Sequence, residues 1–132
     1  MGTNEEIWAT LHRHLAAIYA GDWHTYVETT AEDVAVYEWF VTPHRIDGLS
    51  FHEFMMEHDW AGTGASWRYD LLDPRLQRYG DVAVVSYTLL LSIHKDGAIT
   101  HHTVNESRIL VREDGKWKVV HVHKSSGERS LS

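Results

Sequence analysis

Glu106 and Arg108 are the residues of this chain best equipped for chemistry. They stand two apart in the β-branched, apolar run 105–112, so a strand carries both on the face that also bears Val104 and Leu110. A carboxylate and a guanidinium on an apolar strand face need each other or a ligand. Arginine's fork can give a carboxylate two parallel hydrogen bonds. The pair therefore reads either as a structural ion pair or as an anion site in which Glu106 steadies the Arg108 guanidinium.

Histidine is the second resource, with 11 in 132 residues. His121 and His123 alternate along one strand, on the face expected to hold Trp117 and Val119, and His101 and His102 lie on a neighbouring strand. Imidazoles at this spacing can hold a metal, but no motif supplies a third ligand. An interface or core role is expected for them, with no metal and no cofactor. A third chemistry would use a carboxyl raised toward neutrality by burial as a base. Glu38, Asp47, Asp70 and Asp73 are candidates, with Tyr87 or a tryptophan as donor, and spacing singles out none of them. Acid–base catalysis is thus the alternative to a binding role.

The elements that must position these groups are helices first and strands afterwards. Thr3 or Asn4 caps a helix that begins with Glu5 and Glu6, carries Ile7, Leu11, Leu15 and Ile18 at helical spacing, and stops at Gly21. Asp22 caps a short second helix. Strand signals start at Asp33, Pro43 interrupts, and a third helix is expected from Ser50 to Trp60 with Phe51, Phe54, Met55 and His58 on one face. From Ser66 onward four strands alternate with turns at Gly80-Asp81, Asp96-Gly97 and Asp114-Gly115, which predicts an antiparallel meander. The class is α+β.

One predicted strand is apolar on both faces. Ala83, Val85, Tyr87, Leu89, Leu91 and Ile93 form one side, and Val82, Val84, Ser86, Thr88 and Leu90 the other. A sheet in a small monomer usually has one solvated face, so two covers are needed. Helices supply one, and a second copy of the chain is the simplest other.

The segment 105–127 also resembles the C-terminal hairpin of the association (hub) domain of calcium/calmodulin-dependent protein kinase II. That family ends in a Glu-x-Arg strand, an Asp-Gly-Lys-Trp turn, a Val-His-x-His strand and a basic-Ser tail. Residues 17–26, Tyr37-Glu38 and 46–54 match its upstream motifs, so the resemblance covers roughly residues 15–127. It implies a nuclear transport factor 2-like (SnoaL-like) cone: three N-terminal helices packed on a strongly bent antiparallel sheet. Cones of this kind also host ketosteroid-isomerase-like and SnoaL-like enzymes, so the resemblance implies an isomerase, cyclase or hydrolase using a pocket carboxylate as the enzymatic alternative. It also implies homodimers through the convex side of the sheet, with pairs stacking into rings. By the same resemblance Arg108 and Lys124 are basic pocket positions and His52 matches a family residue. Leu89 stands where the family's third strand carries an arginine, and Lys124 where it has one, which weakens a carboxylate site of the family's kind. The expected ligand-binding set is Arg108, Glu106, Tyr87, Trp39, His52 and Lys124, for a small anionic or carboxylate ligand or an apolar small molecule. From position alone, His44 is expected at the rim.

Length and composition bound the rest. The 132 residues are expected to form one domain, 1–132, with 126–132 as a loose tail, and the hub-like domain is expected to be complete in itself. A formal charge of −7 without any Lys/Arg cluster argues against nucleic acid and anionic membranes as partners. With no cysteine, no long apolar run and an acidic start, a cytoplasmic setting is expected.

Overall fold

A computed structural model describes residues 3–38, 42–55 and 66–128. Helix α1 is Asn4–Ala20. Thr3 is its N-cap, with its hydroxyl accepting from the Glu6 N–H at 3.2 Å while the Glu6 carboxylate reaches back to the Thr3 N–H. Gly21 ends the helix in the left-handed region that glycine tolerates best. Helix α2 is Trp23–Glu28, capped by Asp22. Strand β1 is Thr30–Glu38, β2 is Ile46–Asp47, and helix α3 is Ser50–Met55. Strands β3 (Ser66–Tyr79), β4 (Val82–Lys95), β5 (Ala98–Glu113) and β6 (Lys116–Ser126) form the expected meander. Asp96-Gly97 and Asp114-Gly115, each with two positive φ angles, close the last two hairpins.

The six strands run in the order β2-β1-β6-β5-β4-β3, giving a mixed α+β fold with N-terminal helices on a bent sheet. Four expectations change. The sheet is not wholly antiparallel, because β1 lies parallel to β6. The first strand starts at Thr30 rather than Asp33, and β2 replaces what the sequence presents as loop. In α3 His52 is buried, whereas Phe51 is 39% exposed; the side chains of Phe54 and Met55, and 56–60, the rest of the expected helix, lie outside the described residues.

The fourth change comes from bulges. In β3 the register shifts between Leu72 and Arg75, where Asp73 takes a positive φ beside Pro74 on an edge strand. In β6, Val119 pairs with Leu110 and His121 with Ile109, so Val120 is the extra residue. That one residue flips the alternation. Trp117, Val119, Val122 and Lys124 point inward, and His121 and His123 point outward, away from the face that Trp117 and Val119 share.

The inner face of the sheet and α1 make the core: Ile7, Leu11 and Leu15 pack with Val34, Val36, Val85, Leu89, Leu110, Val119 and Val122. The outer face is different. Among the described residues five large hydrophobics are exposed, and four of them, Leu72, Tyr79, Val82 and Ile99, lie on that outer face by strand parity. No helix among the described residues is long and apolar enough to cross a membrane.

Candidate site: a charged row across four strands

The pairing registers place Tyr87 of β4 opposite Glu106 of β5, Glu106 opposite Lys124 of β6, and Lys124 opposite Glu38 of β1. These four side chains form one row across the inner face, within reach of their neighbours as cross-strand pairs are. Arg108 sits one step along β5, between Val85 and Val122. Glu106 is 3% exposed and Arg108 1%. Two carboxylates and two cations balance within the row, as buried charges must.

Arg108 Nη1 donates to Glu106 Oε1 and, at 2.6 Å, to the Tyr87 hydroxyl, which itself donates to Glu106 Oε1 at 2.7 Å. Lys124 Nζ donates to Glu38 Oε1 at 2.7 Å. Burial opposes ionisation of Glu106, but Arg108, Lys124 and the Tyr87 hydrogen bond outweigh it and hold its carboxyl below the ordinary range. Burial likewise works against the Arg108 charge, and Glu106, Tyr87 and Tyr19 more than offset it, so the guanidinium is held protonated. Tyr87 is pushed well above its ordinary value, first by burial.

Helices α1 and α3 add two histidines. His14 is fully buried, its Nδ1 3.1 Å from the hydroxyls of Thr29 and Thr30, with its ring stacked on Tyr26 at 4.9 Å. Burial, then Arg108, Lys124 and His52, lower its pKa well below the ordinary imidazole value. His52 is buried against Tyr26, and burial lowers its pKa while Glu38 pulls the other way. Among the described residues Arg108 Nε, Glu38 Oε2 and His14 Nε2 are buried without a hydrogen-bond partner. The cluster therefore combines charges that satisfy one another with several buried polar atoms that make no hydrogen bond.

Glu106, Arg108, Tyr87, Lys124 and His52 thus come together, and Trp39 lies outside the described residues. The other carboxylate candidates do not join them. Asp47 pairs with Arg45 and Asp70 with Arg68 at the surface, and Asp73 is exposed at the β3 bulge. Glu38 is inside, but matched by Lys124. His44 is exposed in its loop, His101 meets Ser92 Oγ at 2.8 Å on the surface, and His102 is exposed. Among the described residues no group of three or more His, Asp or Glu is arranged to hold a metal. Sequence reasoning missed His14. Its signal was there: it falls seven residues after Ile7 and three after Leu11, inside the apolar stripe of α1.

The family model for the calcium/calmodulin dependent protein kinase II association domain matches residues 3–128. The chain belongs to that family. The calcium/calmodulin-dependent protein kinase type II subunit delta of Oryctolagus cuniculus is 27% identical over 124 residues, 92% of this chain. That match covers 23% of the relative, so the chain spans about a quarter of its length. Among solved structures, the association domain of the C. elegans kinase superposes with a TM-score of 0.82 at 26% identity, covering 92% of this chain and 94% of that one. A nuclear transport factor 2-like protein from Cytophaga hutchinsonii gives 0.77 at 16% identity over 96% and 99%, a likeness of fold alone. Within this association-domain frame Leu89, where the resemblance places a family arginine, is fully buried in the core. The inner row of this member therefore carries two cations, each already facing a carboxylate.

Proposed function

We propose that this chain is an association module that pairs with a second copy of itself through the outer face of the sheet, while the inner charged row ties the four strands together. The observation that carries this reading is the composition of the outer face. It holds four of the five exposed large hydrophobics among the described residues. Its middle, Ala35, Tyr37, His121, His123, Ser107 and Ile109, contains no carboxylate, lysine or arginine. Interface cores are depleted in charge in this way. A chain of net charge −7 meets its own copy with least repulsion where neither presents a carboxylate. Membership of a family named for association supports the same occupant. The test is Val84→Asp, which puts a charge on the outer face of β4 opposite Ile109. Sedimentation velocity should show the variant as a folded monomer while the wild type stays assembled; an assembled variant would count against this face.

A second reading, favoured by the unpartnered Arg108 Nε, is that the row also receives a small carboxylate or other anion. Pairing of Arg108 with Glu106 works against it. Thermal-shift measurements with small carboxylates should give a rise in melting temperature that Arg108→Lys removes; no rise with any acid would leave the row purely structural. The enzyme alternative needs an isolated carboxyl raised toward neutrality. Glu106 is held in the opposite direction, and Glu38 already faces Lys124.

A further inference from the structure

We infer that the association contact is proton-linked: His121 and His123 lie at its centre, and charging them opens it. This rests on the outer-face reading above and adds its regulation. The bulge at Val120 puts both imidazoles outside, His121 half-buried and His123 exposed, and both rings meet Tyr37, with centroids 6.3 and 5.1 Å away. An isologous contact brings the same patch of each copy against the other, so four imidazoles enter one interface.

Among the described residues no charged side chain stands directly opposite either ring on the neighbouring strands. On β5, Ser107 and Ile109 stand opposite the two histidines. On β1, Ala35 and Tyr37 stand opposite them, and Asp33, two residues further, is exposed. On β2, Asp47 faces Ala35 but is bound by Arg45, whose guanidinium also leans on Tyr37 and adds positive charge. On β6 itself Lys118 shares the outer face, and Lys124 points inward to Glu38. Protonated histidines would therefore be desolvated against Tyr37, Lys118, Arg45 and one another with no carboxylate opposite either ring among the described residues, Asp33 being displaced along β1. Neutral imidazole, with a donor and an acceptor nitrogen, fits the hydroxyl-rich surroundings. Charging the rings would therefore weaken the contact, and acid is what charges an imidazole.

The experiment is sedimentation equilibrium of wild type and His121→Gln/His123→Gln at pH 7.5 and 5.5, with far-ultraviolet circular dichroism at each pH. Each proton excluded from the contact weakens it by up to about tenfold per pH unit in the acid range. The wild-type dissociation constant should rise at least about tenfold, and the double variant's should stay within about threefold. The variant keeps His14 and His52, so an equal weakening in both proteins would assign the effect to the core and overturn the inference. A wild-type constant that does not move with pH would overturn it while leaving the association reading intact. A wild type that is monomeric at both pH values would remove that reading, and this inference with it.

Discussion

Arg108 is a fully buried cation whose charge is answered by Glu106 and Tyr87, and such an arrangement is unforgiving of single changes. Removing one partner leaves the other charge uncompensated in the core, at a cost of about 3–5 kcal/mol. Glu106→Ala and Arg108→Ala should each lower unfolding free energy by that order in urea titrations. Tyr87→Phe should cost about 1–3 kcal/mol, since it removes one donor to Glu106. A double replacement, Glu106→Leu with Arg108→Met, should cost much less than the sum of the two alanine variants. Additive losses would mean that the two groups do not act as a pair. His14 sets the pH dependence. Folded, its pKa lies below the ordinary value; unfolded, it titrates near 6.5. The unfolded chain thus binds more protons below that pH, so the His14 contribution is complete above pH 6.5 and drains as pH falls. Glu106, lowered from 4.5, adds a further loss in the same direction at lower pH. Urea midpoints should therefore fall from pH 8 to pH 5, and His14→Gln should flatten the decline between 7 and 5.5.

The hairpins, the helix caps and the apolar face of β4 were legible at the level of elements because each rests on local chemistry: Thr3 with Glu6, Asp114-Gly115, and alternation from Ala83 to Leu91. Thr3→Ala should cost about 1 kcal/mol in thermal unfolding, the value of a lost cap. Glu106 and Arg108 were legible too, since charges in an apolar strand stand out. What the sequence hid is non-local. Nothing in the run Trp117 to His123 announces an extra residue at Val120, because Val120 and Val122 are equally acceptable inside or outside. Strict alternation therefore put the two histidines on the Trp117 face, and only the pairing of β6 with β5 and β1 decides otherwise. The partnership of Glu38 with Lys124, 86 residues apart, likewise depends on a parallel contact that no local pattern encodes. Deleting Val120 would remove the extra residue and leave strict alternation with Val122 and Lys124 still inward and His121 and His123 still outward. That variant should keep a cooperative unfolding transition in circular dichroism; loss of the transition would contradict the assigned bulge.

For the whole molecule, the sheet works as a partition. One side buries a neutralised row of charges beneath the helices; the other has a middle without charged side chains and also exposes Leu72, Tyr79, Val82 and Ile99. The bulge at Val120 serves both sides, since it keeps Val122 and Lys124 inside while delivering two histidines to the outside. Association through that outer side is the claim on which the account turns. Light scattering of the wild-type chain, diluted stepwise to low micromolar concentration at pH 7.5, measures it most directly. The account predicts a mass of at least twice 15.2 kDa, in whole-number multiples of that value. A mass of one chain at every concentration would contradict it.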